Sequence, residues 1–434
     1  MRRVARRTLA GIVALFLSSS LVPGAGAYPL DGYESTGITR LRAYDLARDW
    51  LLMHGSLVPG SLWGVDRVKL RLAEREAFDL PAPDAELTAR VRSLIGEHAK
   101  HYGVTVLDLS DPERPRYADV NGGAIQNPGS VGKIVVALAW FQALADRYPD
   151  DVEARVKMLR ETRITANRFV NRDHHVVPFW KPGQAAVIRR PLQEGDTATL
   201  YTFLDWMCSA SSNAGASMLM SELLLFREFG AGYPLSPEAS AKWFDETPKA
   251  ELTRRLADAL QAPLRASGLD PAKLRQGSLF TREGKKILPG TNSVSTSREL
   301  LRFLLLMEQG RLVDRWSSLE IKRLLYLTDA RIRYASADAL DDSALYFKSG
   351  SLYGCKQEAG YECGQFLGNR INYMNSIAVV ETEREDVSLH YIVSVLSNVL
   401  RKDSAEQHRE FGEKLHELIL SEHAPPAPTS APNP

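Results

Sequence analysis

The sequence predicts an α+β fold, in which one antiparallel sheet flanked by helices takes strands from both ends of the chain and an all-helical subdomain is inserted between them. Two observations support this prediction. A helix and a strand hairpin come early, within residues 84–120, whereas alternating apolar strands and an amphipathic helix come late, within residues 344–419. The stretches between them are polar or helical in pattern.

The composition excludes several classes of protein. The 434 residues are 44% hydrophobic, so the chain can bury a core of its own, and the net charge of +1 argues against nucleic-acid binding. Three cysteines are too few for a disulfide scaffold, and their spacing does not match a zinc site. We expect a monomer with no metal, no cofactor and no nucleic-acid partner.

Residues 1–27 have the pattern of an export signal. A cationic segment at 1–7 precedes an apolar core at 9–22, and Ala-Gly-Ala at 25–27 is a small-x-small cleavage site. The apolar core is too short to span a bilayer comfortably. We therefore expect a secreted or periplasmic protein that has no integral membrane segment after signal cleavage.

Residues 28–82 form an N-terminal accessory segment to which we assign a packing role and no chemistry. Residues 36–53 have a helical pattern, residues 65–72 alternate as a strand does, and residues 80–83 are typical of a linker. The main domain is predicted over residues 83–422. The proline-rich tail, residues 423–434, is predicted to be disordered.

The first half of the main domain begins with a helix that Asp84 caps and whose apolar stripe is Leu87, Val91, Leu94 and Ile95. A strand at 103–109, a hairpin partner at 116–120 and a helix at 130–148 follow. Asp173-His174-His175 could suggest a metal site, but no other ligand spacing supports one. A solvated or structural histidine pair is predicted there.

The second half alternates helices with strands. Residues 197–219 and 248–264 have helical patterns, residues 279–289 indicate a loop or hairpin, and Thr296 opens a capping box before a helix at 300–310. Strands are predicted at 344–350, 376–381 and 387–396. Ser404 caps a last helix whose apolar face is Phe411, Leu415, Leu418 and Ile419.

The first motif with chemical content is Ser130-Val-Gly-Lys133, at the start of an apolar helix. Residues three apart lie on one face of a helix, so the Ser130 hydroxyl and the Lys133 amine come within reach of each other. Burial would lower the pKa of Lys133 and make it a base toward a nucleophilic serine. A helix-capping serine followed by a snorkelling lysine has the same spacing, so this motif alone is weak.

Two further motifs follow, Ser211-Ser212-Asn213 and Lys348-Ser349-Gly350. Ser211 could pass a proton to a leaving nitrogen, Lys348 could tune that hydroxyl and attract an anionic substrate, and Asn213 could bind a substrate amide. An edge strand containing Ser349, Gly350 and Ser351 could pair with an extended substrate. The backbone N–H groups of Ser130 and Ser351 would then form an oxyanion hole.

The order S-x-x-K, S-x-N, K-[ST]-G resembles the signature of the penicillin-recognising serine enzymes. Residues 84–133 are similar to the start of the class A β-lactamase domain, and residues 195–200 and 296–313 are similar to its later segments. The resemblance implies a β-lactamase/transpeptidase-like fold over residues 83–422. It also implies a serine hydrolase in which Ser130 is the nucleophile and Lys133 the general base.

Two departures from the class A pattern bear on the reaction. The family's omega-loop glutamate, which activates the deacylating water, has no clear counterpart in residues 280–290, where Glu283 is the one carboxylate. The flanking cations should give Glu283 a low pKa and make it a poor base. No arginine occupies the family's place on the strand after Lys-Ser-Gly, and Arg370 is only a neighbour.

Three readings of the function follow. The first is an exported hydrolase that forms an acyl-enzyme with β-lactams, with a burst near one equivalent followed by slow turnover. The second is a D-alanyl-D-alanine peptidase, or penicillin-binding protein, acting on peptidoglycan peptides. The third is a non-catalytic wall-binding homologue.

The cysteines give a separate prediction. Cys355 and Cys363 lie eight positions apart, and in an oxidising compartment two cysteines at that spacing can close a small loop. We predict that they form a disulfide. Cys208, in an apolar helical setting, should be a buried free thiol.

Overall fold

The structure is a computed structural model that describes residues 31–53 and 57–423. The predicted export signal, residues 1–27, and residues 424–434 of the predicted tail lie outside the described residues. His423, which the sequence analysis placed in the tail, is instead the last residue of the final helix. Among the described residues, no helix is both long and apolar enough to cross a membrane.

The helices of the described residues are α1 Tyr33–Thr36, α2 Thr39–Met53, α3 Ala85–Ile95, α4 Lys133–Arg147, α5 Val152–Glu161, α6 Leu200–Cys208, α7 Asn213–Phe229, α8 Pro237–Glu246, α9 Lys249–Ala266, α10 Arg282–Ile287, α11 Ser297–Glu308, α12 Arg315–Tyr326 and α13 Ser404–His423. The strands are β1 Tyr102–Asp108, β2 Arg116–Val120, β3 Arg163–Thr165, β4 Val176–Phe179, β5 Ile188–Pro191, β6 Thr197–Thr199, β7 Leu274–Arg275, β8 Val294–Ser295, β9 Ser343–Gly354, β10 Ile371–Glu383 and β11 Ser388–Asn398.

The main sheet has the order β2-β1-β11-β10-β9, and every neighbouring pair is antiparallel. Its strands come from both ends of the chain, which confirms the predicted architecture. The inserted region is not all-helical, because it carries three two-stranded ribbons, β3-β6, β4-β5 and β7-β8. Strands of two to four residues are too short to show an alternating pattern in sequence.

Helices cover both faces of the main sheet. In β10, Ile377 and Val379 pack into the core that contains α4, α6, α7 and α11, whereas Ala378 and Val380 pack into a second core with α3 and α13. Successive side chains of a strand point to opposite faces, so this alternation buries the strand on both sides. The capped helices α3 and α11 form where Asp84 and Thr296 predict them.

The N-terminal segment packs directly onto the main domain. Ile38, Leu41 and Trp63 belong to the same core cluster as α4. The strand predicted over residues 65–72 is wrong: this segment contains a short 3₁₀ turn, Val65–Arg67, and turns after it. Its buried apolar residues, Val65, Val68 and Leu72, are three and four positions apart, which matches helical turns rather than a strand.

The segment predicted as a loop or hairpin over residues 279–289 contains a short helix, α10. Thr281 is its N-cap, and the Thr281 side chain accepts a hydrogen bond from the Gly284 backbone nitrogen. Leu279 and Leu288, on either side of the helix, are buried and anchor the segment to the core. A threonine cap with an apolar residue at each end therefore favours the helix that the sequence analysis missed.

Candidate active site

The serine motif lies at the start of α4. Residues Gly129–Gly132 form a single 3₁₀ turn, and Lys133 is the first residue of the α-helix. The following side chains of α4 are apolar and buried as far as Leu144, apart from the half-buried Gln142, so the helix runs through the core. This places the half-buried Ser130 at the end of a buried helix and leaves the Lys133 side chain enclosed by protein.

Lys133 Nζ contacts residues of two motifs at once. It donates hydrogen bonds to Ser130 Oγ at 2.8 Å, to Asn213 Oδ1 at 2.9 Å and to the Ser211 carbonyl oxygen at 2.6 Å. Burial, followed by the positive charge of Lys348, holds the pKa of Lys133 well below its ordinary value. An amine with a lowered pKa beside a serine hydroxyl can accept the hydroxyl proton.

Ser211 connects Lys133 to Lys348. Its Oγ accepts a hydrogen bond from Lys348 Nζ at 2.8 Å and lies 3.3 Å from Lys133 Nζ. Burial, opposed by Cys208 and reinforced by the positive charge of Arg333, lowers the pKa of Lys348 to about 8. Ser211 has a φ of +56°, a strained conformation for a residue other than glycine. The turn between α6 and α7 thus holds this hydroxyl between two buried amines.

Strand β9 lies against the serine turn and brings the Lys-Ser-Gly motif to it. A β-carbon at Gly350 would lie 2.5 Å from the backbone nitrogen of Ser130, so only glycine allows this approach. Gly129 has a φ of +53°, and a β-carbon there would lie 3.1 Å from the Ser351 backbone nitrogen. The two backbone nitrogens predicted for the oxyanion hole therefore belong to segments in direct contact.

Arg333, which the sequence analysis missed, lies beside the end of this motif. Its guanidinium donates hydrogen bonds to Ser349 Oγ at 2.5 Å and Ser351 Oγ at 3.2 Å. No carboxylate of the described residues lies within ion-pairing distance of it, and burial lowers its pKa to about 10. Arg370, the arginine considered from sequence, is exposed. No local pattern marks Arg333, because a turn and most of a strand separate it from the motif.

The segment that resembles the omega loop places an aromatic ring, not a carboxylate, against the site. Lys133 Nζ lies 4.8 Å from the centre of the Phe280 ring. Glu283 lies in the first turn of α10, where its carboxylate accepts a hydrogen bond from Lys286 Nζ at 2.9 Å. That bond lowers the pKa of Glu283. Glu283 is thus paired with a lysine of its own helix, and none of its described hydrogen bonds reaches a motif residue.

Asp173 and His175 lie next to the same site, which the sequence analysis did not predict. The Asp173 carboxylate is 1% exposed and accepts hydrogen bonds from the Ala214 backbone nitrogen at 2.8 Å and from His175 Nδ1 at 2.6 Å. Bonds from His175 lower the pKa of Asp173 to about 2 despite its burial. His174 is exposed, but His175 is largely enclosed, so the histidine pair is only half solvated.

Two groups of described residues each bring three potential metal-ligand atoms within 4.8 Å of one another. In the first, the Asp173 carboxylate already accepts hydrogen bonds from both the ring and the backbone of His175. In the second, made of Glu308, Glu381 and His390, Lys322 Nζ lies 2.6 Å from each glutamate. We therefore describe both groups as hydrogen-bonded networks and assign no metal ligands.

The cysteines are arranged as predicted. Cys355 and Cys363 form a disulfide just beyond β9, and Cys208, at the end of α6, is free and buried. Burial raises the pKa of Cys208 to about 12. Cys208 is therefore a protonated, unreactive thiol near the two lysines.

Comparisons with known proteins indicate the fold of this chain. No protein-family model matches the sequence, and no curated protein matches it. A structure of a PBP-A variant, described as an acyl-enzyme complex with penicillin G, matches with a TM-score of 0.50 and 14% identity, covering 79% of this chain and 100% of that one. A β-lactamase from Sphaerobacter thermophilus matches with a TM-score of 0.49 and 13% identity, covering 76% of this chain and 97% of that one.

At this level of identity, the likeness concerns the fold alone, and we base the assignment on the PBP-A match together with the sheet order described above. The match spans the whole of the PBP-A chain. The chain therefore has the β-lactamase/transpeptidase-like fold.

Proposed function

We propose that this protein is an exported serine hydrolase in which β-lactams acylate Ser130. The observation that carries the proposal is the meeting of three separate motifs around two lysines: Lys133 contacts Ser130 and Asn213, and Lys348 contacts Ser211. Ser211 is 78 positions from Lys133 and 137 from Lys348. Side chains so far apart in sequence have no local reason to converge, and nucleophilic catalysis needs this grouping of hydroxyl and base.

In the proposed acylation, Ser130 Oγ attacks the carbonyl carbon of the lactam while Lys133 Nζ accepts the hydroxyl proton. The backbone N–H groups of Ser130 and Ser351 stabilise the oxyanion. The carbon–nitrogen bond then breaks, and the leaving nitrogen takes a proton from Ser211 Oγ. Lys348 Nζ, 2.8 Å from that oxygen, returns the proton to Ser211 and is reprotonated from solvent, while Lys133 keeps the proton that it took from Ser130.

The same surroundings suit a substrate that carries a carboxylate. The guanidinium of Arg333 lies beside Ser349 and Ser351 without a carboxylate partner among the described residues. A half-buried cation without a counter-ion favours an anionic ligand. We assign to Arg333 the carboxylate contact, and to β9, the outermost strand of the sheet, the pairing with an extended substrate.

A second candidate, a D-alanyl-D-alanine peptidase acting on peptidoglycan, is favoured by one observation. The segment that resembles the omega loop presents the Phe280 ring to Lys133 and carries no carboxylate that contacts the site. An enzyme without that base would be acylated by β-lactams but release them slowly. The matching structure of a PBP-A variant is described as an acyl-enzyme complex with penicillin G, which is consistent with acylation by β-lactams.

Export is supported by the Cys355–Cys363 disulfide, because disulfides persist in oxidising compartments outside the cytosol. The pattern of residues 1–27 supports the same conclusion. We propose a secreted or periplasmic location, and a monomer as the working form.

Intact mass spectrometry after mixing with benzylpenicillin tests the proposal. We expect a covalent adduct near one equivalent, with the mass of protein plus the whole ligand, because opening the lactam ring loses no atoms. A parallel incubation with a D-alanyl-D-alanine peptide separates the two candidates by release of D-alanine. If no adduct forms and no D-alanine is released, the protein is the non-catalytic wall-binding homologue instead.

A further inference from the structure

The short segment that carries Asp173 and His175 is hydrogen-bonded to Ser212 and Ala214, on either side of the motif residue Asn213. We propose that His175, oriented by Asp173, is the general base that activates water for hydrolysis of the acyl-enzyme on Ser130. This inference rests on the proposed function, and it supplies a base that the omega-loop segment does not.

Asp173 attaches the segment to the candidate active site. Its Oδ2 accepts hydrogen bonds from the Ala214 backbone nitrogen at 2.8 Å and from Ser212 Oγ at 3.3 Å, in the first turn of α7. Asn213, between these two residues, accepts a hydrogen bond from Lys133. The carboxylate is therefore held one residue from a side chain that contacts the general base of acylation.

Asp173 also sets the tautomer of His175. An ionised carboxylate can only accept hydrogen bonds, so the 2.6 Å contact between Asp173 Oδ1 and His175 Nδ1 makes Nδ1 the donor. In the neutral ring, Nε2 then carries the free lone pair. Among the described residues no hydrogen bond engages that nitrogen. The arrangement is a carboxylate-oriented imidazole, which is the usual form of a histidine base.

The segment also lies against the one that replaces the omega loop. Thr281 Oγ1 donates a hydrogen bond to the Phe169 carbonyl oxygen at 2.6 Å, and Ser217 Oγ of α7 accepts one from the Phe280 backbone nitrogen at 3.1 Å. The turn at Arg168–Val170 thus packs against residues 280–284, and both contact α7. Asp173 and His175 follow in the same segment, beside the start of α7.

The proposed step balances as follows. Water oxygen attacks the acyl carbonyl carbon, and His175 Nε2 takes one water proton. The tetrahedral intermediate collapses, the ester bond to Ser130 Oγ breaks, and Lys133 returns a proton to that oxygen. The free carboxylic acid leaves, and His175 then loses its proton to solvent through its exposed side. No oxidant, reductant or second substrate takes part.

The charged groups that face His175 keep it in the basic form. Burial lowers its pKa from the ordinary value, Asp173 opposes this, and Lys133 of α4 and the neighbouring His174 lower it again. A histidine with a lowered pKa is neutral at neutral pH and becomes protonated only in acid. Deacylation should therefore be constant near neutrality and fall as the pH drops through the pKa of His175.

The test uses the full chain, benzylpenicillin and the variants His175→Asn and His174→Asn. Asparagine places an amide donor near the position of Nδ1, so H175N retains a donor for Asp173 but lacks the base. We expect H175N to form the adduct at the wild-type rate and to lose it about 10²-fold more slowly, the usual cost of removing a general base. H174N, altered at the exposed neighbour, should deacylate as wild type does. In H175N, the fall in the deacylation rate at acidic pH (the acid limb of the pH profile) should disappear.

Each other outcome overturns the inference. If H175N loses the adduct at the wild-type rate, or H174N slows deacylation equally, His175 is not the base. If H175N keeps the acid limb, another group titrates. These results leave the proposed function intact, because the adduct still forms. Absence of an adduct in wild type would instead overturn the proposed function and this inference with it. Thermal denaturation of each variant checks that it is folded.

Discussion

Ser130 illustrates how much of this site depends on single side chains. Its hydroxyl is held by Lys133 at 2.8 Å, while its backbone nitrogen lies against Gly350. The hydroxyl is thus positioned by one contact and the backbone by another. Removing the hydroxyl should affect the chemistry and leave the turn in place.

We predict that Ser130→Ala abolishes covalent labelling by a fluorescent penicillin. The free energy of unfolding should change by no more than about 1–2 kcal/mol, because only one hydroxyl at a helix start is lost. Gel fluorescence and denaturant titration measure the two effects. Labelling that survives this substitution would show that another residue is the nucleophile.

Arg333 gives a second prediction at this scale. Arg333→Ala should lower the second-order rate constant of acylation by benzylpenicillin about 10–100-fold, because a charge-assisted contact to a carboxylate contributes about 1.5–3 kcal/mol. Arg370→Ala is the matched control, since Arg370 is exposed and lies on the far side of the disulfide loop in sequence. Equal effects of the two substitutions would show that Arg333 does not bind the carboxylate.

Glu283 gives a third prediction, which follows from its pairing with Lys286. In Glu283→Gln, the slow release of the benzylpenicilloyl adduct should keep a rate within about two-fold of wild type. Removing the general base of deacylation would instead lower that rate by about 10²–10⁴-fold. The time course of adduct decay measures this directly. If Glu283→Gln arrests release, Glu283 is the deacylating base and α10 must move to bring it to Ser130.

Among the secondary-structure elements, β9 contributes most to the candidate active site. It is an edge strand of the main sheet, it contacts the serine turn through Gly350, and it leads directly into the disulfide loop. The backbone nitrogen of Arg370 donates to the Gly354 carbonyl at 3.0 Å, which ties the far end of the loop back to β9. The loop therefore limits the motion of the end of β9.

We predict that the native, unreduced protein has one cysteine that reacts with a thiol reagent after unfolding, and none before. The double substitution Cys355→Ser and Cys363→Ser should lower the free energy of unfolding by about 2–3 kcal/mol. This is the stabilisation expected when a crosslink that closes a loop of this length reduces the entropy of the unfolded chain. Thiol titration with and without denaturant, and chemical denaturation, measure these effects. Three reactive thiols in the unfolded wild type would contradict the pairing.

At the scale of the whole molecule, the N-terminal segment is part of the domain core. Arg40 of α2 donates two hydrogen bonds of 2.6 Å to Asp205 of α6, and both side chains are at most 1% exposed. Lys322 of α12 donates to the Lys69 carbonyl oxygen at 2.6 Å, which adds a second attachment. The segment is thus joined to the helical layer through buried polar groups as well as apolar ones.

We predict that Arg40→Ala lowers the free energy of unfolding by about 3–5 kcal/mol, because it leaves the Asp205 carboxylate buried without its cation. Arg42→Ala, on the same helix, removes an exposed pair with Asp45 and should cost about 0–1 kcal/mol. Equilibrium unfolding in denaturant compares them. Similar losses in both variants would show that the N-terminal segment does not depend on the buried pair.

The sequence by itself determined the features that local geometry controls. The spacing of Ser130 and Lys133, the caps at Asp84 and Thr296, and the antiparallel sheet built from both chain ends were all predicted and are observed. Helical periodicity and capping act over three or four residues, so a sequence displays them directly. The three motifs could be read together as one signature because each of them also lay on a predicted helix or strand.

Only the tertiary structure decided which other groups surround Ser130. Arg333, Phe280, Asp173 and His175 lie on turns and loops, and although Asp173-His174-His175 is visible as a cluster, nothing in the sequence placed any of these residues beside Ser130. Their positions depend on contacts between segments such as Thr281 with Phe169, far apart in the chain. Loop conformation follows from these long-range hydrogen bonds and from burial rather than from periodicity. The Ser130–Lys133 contact could therefore be predicted from the sequence, whereas the other groups around it could not.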